Sequence, residues 1–447
     1  MSEVLRSVGL DVGTTSTQMV LSELTVENRA SSFAVPELEI SQRRVLYQSP
    51  IYFTPLLDES RMDGQGLRRI VEAEYHKAGI TRETVDTGAI IITGETSRKE
   101  NARVVLEALA DLAGDFVVAT AGPDLESVLA AKGAGAVAYS RQTGDTVLHI
   151  DIGGGTSNLA LIQEGRILQT GCLNVGGRLV KLDAEGRITY VSPAVMDIFP
   201  LKVGDYAHQE QLRELAQCLT RGLEMAAGLR EPEALLNRLW TAEAGPVWRI
   251  PEPGGVLSFS GGVADCIRTA RPPLEFGDIG PVLGQAIRNS RLCQGPYVLG
   301  RETIRATVIG AGCHSTQLSG STVFYQNIRF PLKNVPVVTA EDWAGQEEPV
   351  ILAMPGLTAP SYRETAALAE QLVAGHRGPV LLCLEQDMAK ALGQALAVRL
   401  PREAEILCLD RVKAGQGSYL DIGAPVGSAL PVVVKTLVLG QQAAGFS

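Results

Sequence analysis

The sequence predicts an α/β protein in which two related domains precede a third α/β region. Strand-like and helix-like apolar runs alternate along the chain, which is typical of α/β architecture. A pattern beginning Asp-x-Gly occurs at residues 11–21 and again at residues 151–161, about one domain length further on. At roughly 100–200 residues per domain, the 447 residues fit two to four domains. We therefore expect domains over 1–140 and 141–300, and a C-terminal region over 301–447.

The first predicted domain opens with a strand, a tight turn and a second strand, over residues 8–12, 13–16 and 17–21. Apolar periodicity, a glycine after a helix and an S-x-x-E capping box place the elements that follow. In chain order these are a helix over 67–78, a strand over 88–93, a helix from 97 to about 112, a strand over 116–119 and a helix over 125–139. The last helix is rich in Ala and Gly, which predicts close packing.

The second predicted domain also opens with a strand, over 147–152, that turns into another strand. A helix over 209–229 and a strand over 256–260 follow. The C-terminal region begins a new series of strands with helices between them. The strands are expected over 306–309, 335–338, 350–353, 380–383, 406–409 and 432–439, and the helices over 363–374 and 387–399.

Charge and composition limit the expected partners and location. The chain carries 40 Lys and Arg against 50 Asp and Glu, a net charge of -10, which argues against nucleic acid and anionic membranes as partners. No apolar run approaches the roughly 20 residues that a membrane span needs, and no apolar signal region follows Met1. Seven scattered cysteines indicate neither a disulfide framework nor a metal knuckle. We expect a cytoplasmic protein.

The repeated pattern, DVGTTSTQMVL at 11–21 and DIGGGTSNLAL at 151–161, has the composition of a phosphate-binding turn. Glycines let backbone N–H groups approach phosphate oxygens, and threonine hydroxyls add donors. One copy alone is more typical of an ordinary hairpin turn, but two copies one domain apart reverse that preference and favour phosphate binding. Neither copy contains the GK[ST] of a Walker loop. The candidate binding residues are Gly13, Thr14, Thr15, Gly153, Gly154, Gly155 and Thr156.

The aspartates that begin the two copies, Asp11 and Asp151, are candidate metal ligands. A carboxylate repels phosphate, but it can hold Mg²⁺ through the waters that this ion keeps. A third element, Ser260-Gly261-Gly262, ends a strand and begins a helix. Glycines at such a turn permit the close approach of a ligand, and a helix N-terminus favours anions. We therefore add Gly261 and Gly262 to the candidate binding residues, although a plain strand-to-helix turn has the same pattern.

Together the two Asp-x-Gly turns and Ser260-Gly261-Gly262 resemble the two phosphate motifs and the adenosine motif of the actin/Hsp70/sugar-kinase superfamily. The resemblance implies two ribonuclease-H-like domains around a nucleotide cleft, with ATP and Mg²⁺ as cofactors. In relatives that hydrolyse ATP, an acidic residue on the helix before the second phosphate strand positions the attacking water. Glu126 lies at about that place, with Asp124 as its rival, and it could equally be a solvated residue of the first helical turn.

The whole chain resembles one family of this superfamily, the ethanolamine ammonia-lyase reactivating factors. The segments that carry the resemblance are YQSPIYFTPL at 47–56, ITGETSRKENAR at 92–103, SYLDIG at 418–423 and PVVVKTL at 431–437. The family resemblance implies a chaperone that uses ATP to release damaged cobalamin from the lyase, so that intact adenosylcobalamin binds. It also implies slow ATP hydrolysis coupled to that action, no ammonia-lyase chemistry, and association with a bacterial microcompartment. The sequence leaves monomer and homodimer open.

Three other functions share the predicted fold. A small-molecule kinase would need a carboxylate base within reach of a substrate hydroxyl. An actin-like filament protein would polymerise with nucleotide. An activator of acyl-CoA dehydratases would need an iron–sulfur cluster, against which the scattered cysteines argue. The resemblance favours the reactivating factor over all three.

Overall fold

A computed structural model of the chain gives the fold. It describes residues 3–13, 16–28, 38–58, 61–93, 109, 117–120, 123–241, 255–300, 303–314, 316–319, 322–343, 349–374, 378–412, 414, 418–423, 425 and 430–436. The helix predicted over 97–112 and the run at 94–103 therefore lie outside the described residues, apart from Leu109. The described helices include none that is long and apolar enough to cross a membrane.

The first sheet has three antiparallel strands followed by two parallel ones. Its spatial order is β3-β2-β1-β5-β6, and a short strand, β4, pairs with β2. Helix α1 covers one face, and Gly79 ends it in the left-handed conformation at φ 65°, as the sequence predicts. The bounds are β1 (Glu3–Val12), β2 (Ser16–Asn28), β3 (Leu38–Gln48), β4 (Tyr52–Phe53), α1 (Gly64–Ala78), β5 (Thr87–Ile92) and β6 (Val117–Thr120).

The second sheet repeats this arrangement. Its order, read from the other edge, is β9-β8-β7-β12-β13, with antiparallel pairing on one side of β7 and parallel pairing on the other. Its elements and those leading to it are α2 (Pro123–Gly133), α3 (Ala136–Thr143), β7 (Val147–Ile152), β8 (Ser157–Gln163), β9 (Arg166–Leu173), β10 (Val180–Leu182), β11 (Ile188–Val191), α4 (Pro193–Met196), α5 (Gln209–Ala226), α6 (Ala234–Leu239), β12 (Val256–Ser260), α7 (Gly262–Arg268), α8 (Gly280–Arg288) and β13 (Tyr297–Leu299). The matching strand orders confirm that the two domains are related.

The third sheet has eight strands in the order β14-β21-β20-β16-β17-β18-β19-β15. Four neighbouring strands of this sheet, β16 to β19, run parallel, with helices on the connections between them. This confirms the α/β region predicted near the C-terminus. The bounds are α9 (Ala306–His314), β14 (Thr316–Leu318), β15 (Phe324–Gln326), β16 (Leu332–Val338), α10 (Ala340–Trp343), β17 (Ile351–Met354), α11 (Tyr362–Val373), β18 (Val380–Leu384), α12 (Ala389–Ala397), β19 (Ile406–Leu409), β20 (Ser418–Ile422) and β21 (Pro431–Thr436).

Two predictions about single elements are wrong. The strand expected over 306–309 is the first part of helix α9. A short apolar run fits a strand or a buried helix equally well, and β-branched residues misdirect the choice. The helix expected over 125–139 is two helices, because the chain turns at Gly135 with φ 84°.

Helices α2 and α9 join the two related domains. Helix α2 packs on the second sheet, α9 packs on the first, and the two helices pack on each other. The approach is close enough to exclude side chains: a Cβ on Gly133 would lie 1.8 Å from the Ala306 oxygen, and one on Gly310 would lie 2.1 Å from the Leu129 oxygen. This is the close packing that the Ala- and Gly-rich sequence predicts. We propose domain boundaries near residues 140 and 300, with α9 returning to the first domain.

Candidate functional site

A cavity of about 450 Å³ lies between the first two sheets, at the ends of β1 and β7. Strand β7 is buried along its length, β1 is buried from Ser7 onward, and each ends at an Asp-x-Gly turn that faces the cavity. The structure therefore brings together nearly all the residues that the sequence selects. Those that line the cavity are Asp11, Gly13, Glu126, Asp151, Gly153, Gly154, Gly155, Thr156, Gly261 and Gly262. Thr14 and Thr15 lie outside the described residues.

The first turn holds Asp11 in a buried, hydrogen-bonded position. The turn closes with a bond from the Gly13 N–H to the Ser16 oxygen at 2.9 Å. Thr93, which follows the neighbouring parallel strand β5, donates to Asp11 Oδ1 at 2.9 Å. Burial is the main cause that raises the pKa of Asp11 to about 7; the Thr93 hydrogen bond opposes this rise and the nearby Asp151 carboxylate adds to it. The two carboxyl groups are therefore close enough to interact.

The second turn has the same construction. It closes with a bond from the Gly153 N–H to the Thr156 oxygen at 2.9 Å. The Ser260 hydroxyl, at the end of the neighbouring parallel strand β12, donates to Asp151 Oδ1. Burial raises the pKa of Asp151 to about 6, and the Ser260 hydrogen bond opposes this rise. Each aspartate thus accepts one hydrogen bond from a hydroxyl group at the end of the parallel strand beside it.

A chain of buried hydrogen bonds continues from Asp151 into the sheet. His149 Nε2 lies 2.9 Å from Ser260 Oγ, and His149 Nδ1 lies 3.0 Å from Ser258 Oγ. Burial lowers the pKa of His149 to about 3, so the ring is neutral. An ionised Asp151 only accepts hydrogen bonds, so Ser260 must donate to it and must accept from the Nε2–H of His149. The Ser258 hydroxyl then donates to Nδ1, and every bond in the chain points toward Asp151.

Removing the hydroxyl of Ser260 is expected to weaken Mg²⁺ binding at Asp151. In a Ser260→Ala protein the carboxylate loses its donor and its fixed orientation. Loss of such a supporting group typically costs about 10–100-fold in metal affinity. Mg²⁺ titration of the nucleotide-bound protein would measure the change. Ser258→Ala, at the far end of the same chain, is the matched control, and an equal loss in both variants would contradict the orienting role of Ser260.

Two side-chain amides face the cavity from equivalent places in the repeat. Gln18 is the cross-strand partner of Asp11, and Asn158 is the cross-strand partner of Asp151. Both amides are buried, and among the described residues neither Gln18 Oε1 nor Asn158 Oδ1 has a hydrogen-bond partner. A buried acceptor requires a donor. The waters of a hydrated Mg²⁺ are donors, so the pair of carboxylates and the pair of amide oxygens fit that ion.

Glu126 lies on α2 against the second turn. It is 6% exposed, and Asn158 Nδ2 donates to its Oε2 at 2.9 Å. This burial rules out the solvated first-turn alternative. The side chain of its rival, Asp124, lies outside those that the structure describes. A role for Glu126 in positioning water stays a prediction, now supported by its place in the cavity wall.

The Ser260-Gly261-Gly262 turn closes the cavity on the side of the second sheet. Gly261 adopts φ 87°, and a Cβ there would lie 2.2 Å from the Ile152 oxygen. Only glycine therefore fits at this position, because both the conformation and the contact exclude a side chain. Gly262 begins helix α7. The structure thus explains why a glycine is required at Gly261, the first of the two candidate glycines.

Sequence reasoning missed several residues that line this cavity or support it from behind. Thr93 and His149 act through strands that are distant in the chain, so no local pattern marks them. Gln18 and Asn158 could have been found, because they occupy the same position in the two copies of the repeat. Arg178 and Arg271 are the two cationic side chains among the described residues that line the cavity, and no motif marks either of them.

Two like domains around a cleft with two aspartate-glycine turns define a protein of the actin-like ATPase fold class. The chain also matches the profile of the family described as "Ethanolamine utilisation protein EutA" over residues 3–440. It is 40% identical to the ethanolamine ammonia-lyase reactivase EutA of Salmonella typhimurium, over 97% of this chain and 98% of that protein. It is 38% identical to the Escherichia coli protein of the same name, with the same coverage. The chain belongs to the EutA family.

The solved structures that align with the chain share little sequence with it. The Aquifex aeolicus PPX-GPPA enzyme aligns at 12% identity and a TM-score of 0.42, over 69% of this chain and 99% of that one. The ethanolamine utilization protein EutJ from Carboxydothermus hydrogenoformans aligns at 17% identity and a TM-score of 0.34, over 69% and 89%. The activator of the 2-hydroxyisocaproyl-CoA dehydratase from Clostridium difficile, solved with bound ADPNP, aligns at 13% identity and a TM-score of 0.34, over 69% and 93%.

Proposed function

We propose that the protein is an ATP-dependent reactivating factor for ethanolamine ammonia-lyase, which makes the lyase release damaged cobalamin and accept intact adenosylcobalamin. The observation that carries the proposal is the match, over 97% of the chain, to proteins named as reactivases of that lyase. The cleft between the related domains supports the ATP-dependent part. We propose that the protein acts in the cytoplasm, in association with a bacterial microcompartment.

The residues of the cleft fit a Mg²⁺ nucleotide. The glycine-rich turns supply backbone N–H groups for phosphate, and Thr156 adds a hydroxyl. When bound, Mg²⁺ neutralises phosphate charge and brings ordered waters. Asp11 and Asp151 would accept hydrogen bonds from those waters. The amide oxygens of Gln18 and Asn158, which have no partner among the residues that the structure describes, would do the same. The cavity wall thus provides donors for phosphate and acceptors for the metal's waters.

Nucleotide binding in this cleft can drive a change of shape. A ligand shifts a conformational equilibrium only as far as it binds one arrangement better than the other. A change from 1:99 to 99:1 requires a preference of about 5.5 kcal/mol. A nucleotide held by turns from both sheets loses contacts whenever the sheets separate, so it favours the closed cleft. Slow hydrolysis, with Glu126 positioning water, would reset the equilibrium.

Restoration of lyase activity tests the proposal. Ethanolamine ammonia-lyase inactivated with cyanocobalamin is incubated with this protein and adenosylcobalamin, with and without Mg-ATP. We expect activity to return only when the protein and Mg-ATP are both present. Recovery without nucleotide would contradict the ATP-dependent part. Absence of recovery, with phosphate transfer from ATP to a sugar or acid, would replace the proposal with the kinase alternative.

A further inference from the structure

The loop that follows β9 is fastened to the second phosphate turn by its backbone. The N–H groups of Gly177 and Arg178 donate to the oxygens of Gly153 and Gly154, at 3.0 and 2.7 Å. A Cβ on Gly176 would lie 2.3 Å from the Gly154 oxygen, so glycine is required there. The backbone of Arg178 is therefore held beside the turn that the proposed nucleotide site assigns to phosphate.

The side chain of Arg178 makes two contacts in the cleft. Its Nε lies 3.1 Å from Asp278 Oδ2, and the Asp278 side chain is 8% exposed. Its guanidinium carbon lies 5.7 Å from the centroid of the Phe53 ring. Phe53 is on β4 of the first sheet, whereas Arg178 belongs to the second domain, so this cation–π contact spans the cleft. Phe53 is 77% exposed with this contact in place.

The strand that carries Phe53 is anchored to the first domain. The hydroxyl of the adjacent Tyr52 donates to Glu74 Oε1 at 2.5 Å, and the Tyr47 hydroxyl donates to Glu74 Oε2 at 2.7 Å. The Glu74 side chain is fully buried. A displacement of the Phe53 ring would therefore also displace the first domain, because β4 is fixed to it by these hydrogen bonds.

The charge of the cavity indicates what Arg178 binds. Five carboxylates line the described part of it, those of Asp11, Glu126, Asp151, Asp265 and Asp278, against the guanidinium groups of Arg178 and Arg271. A triphosphate entering this acidic space needs cations besides Mg²⁺. Arginine matches phosphate bidentately. Of the two arginines, Arg178 is the one whose backbone is bound to a phosphate turn.

We propose that Arg178 senses the terminal phosphate of the bound nucleotide and transmits its presence to the first domain through Phe53. This inference rests on the proposed nucleotide site. The terminal phosphate replaces Asp278 as the partner of the Arg178 guanidinium. This exchange changes the contact between the guanidinium and the Phe53 ring. The two domains then interact differently in the triphosphate and diphosphate states.

Linkage makes the inference testable at a distance from the nucleotide. If the terminal phosphate alters the contact between Arg178 and Phe53, the phosphate and the contact share a coupling free energy. Removing the contact must then change the preference for triphosphate over diphosphate by that same free energy. A ring that only packs on the cleft rim would change both affinities equally. The ratio of the two affinities therefore separates signalling from simple packing.

The experiment is calorimetric titration with a non-hydrolysable ATP analogue and with ADP, both with Mg²⁺. Arg178→Ala is expected to weaken binding of the ATP analogue about 10–100-fold and binding of ADP less than about threefold. The affinities of Arg178→Lys should lie between those of Arg178→Ala and the wild type. Phe53→Leu is expected to change the ratio about fivefold, near the lower end of typical coupling. Leu57→Ala is the matched control, because Leu57 is also exposed, at 61%, on the chain after β4 and does not line the cavity.

Three results would overturn the inference. Equal weakening of both nucleotides by Arg178→Ala would make the residue a general anchor, and an unchanged ratio in Phe53→Leu would remove the transmission. Both leave the proposed nucleotide site standing. A wild-type protein that binds neither nucleotide would overturn the site and the inference together. Thermal unfolding of each variant confirms that it is folded before its affinities are compared.

Discussion

An Asp11→Asn protein is expected to lose Mg-ATP-dependent reactivation by about 100-fold or more, since removing even a supporting group of a metal ligand costs about 10–100-fold. The amide keeps the size of the carboxylate and an oxygen that can accept the Thr93 hydrogen bond at 2.9 Å. The turn should therefore keep its structure. What the change removes is the negative charge that, in the proposed site, holds the waters of Mg²⁺. Mg²⁺ titration and the cyanocobalamin assay on the same preparation would measure the loss.

Asp151→Asn is expected to give the same result, because Asp151 occupies the equivalent place in the second sheet and also keeps its hydroxyl donor, Ser260. Asp205→Asn is the control, since Asp205 is exposed and does not line the cavity. Reactivation by Asp11→Asn at the wild-type rate, with unchanged Mg²⁺ dependence, would show that this carboxylate is not needed. The proposed metal site would then be wrong even if the cleft binds nucleotide.

The parts of the site that the sequence predicts are those whose chemistry is local. A turn that must bind phosphate needs glycine and hydroxyl residues within a few positions, and the Asp-x-Gly pattern places the carboxylate at the end of the strand. The repeat then predicts two such turns in related domains, and the strand orders β3-β2-β1-β5-β6 and β9-β8-β7-β12-β13 confirm that relation. Local sequence is also sufficient to predict that α1 ends at Gly79, because a glycine directly follows the helical pattern.

The parts that the sequence does not predict depend on which strands are neighbours. Thr93 reaches Asp11 only because β5 lies parallel to β1, and Ser260 reaches Asp151 only because β12 lies parallel to β7. The same limit explains the error at residues 306–309. The apolar run there belongs to a helix buried between α2 and the first sheet, and its sequence carries no polar face to show the helical period.

The contribution of Asp11 and Asp151 to the stability of the nucleotide-free protein is expected to fall as pH rises from about 4 to about 7. Burial raises the pKa of Asp11 from 3.8 to about 7 and that of Asp151 from 3.8 to about 6. The folded protein therefore binds these protons more tightly than the unfolded chain does. The stabilisation is complete below the unfolded pKa, and it disappears as pH rises through the folded values. At 1.36 kcal/mol per pKa unit, Asp11 alone contributes roughly 4 kcal/mol.

Asp11→Asn isolates this contribution from other groups that titrate in the same range. His149 acts in the opposite direction, because its lowered pKa destabilises the folded state as pH falls below about 6.5. That contribution remains in the variant. The difference in free energy of unfolding between Asp11→Asn and the wild type should therefore be small at pH 4 and favour the variant by a few kcal/mol at pH 8. Urea unfolding at both pH values would measure it.

The same carboxylates should reverse the pH trend once nucleotide is bound. Ionised Asp11 and Asp151 are costly to bury in the empty cleft, but in the proposed site they supply the negative charge that hydrated Mg²⁺ requires. Mg-ADP should therefore stabilise the wild type more at pH 8 than at pH 5, and it should stabilise Asp11→Asn little at either. Equal stabilisation of the wild type at both pH values would mean that the two carboxylates do not hold the metal.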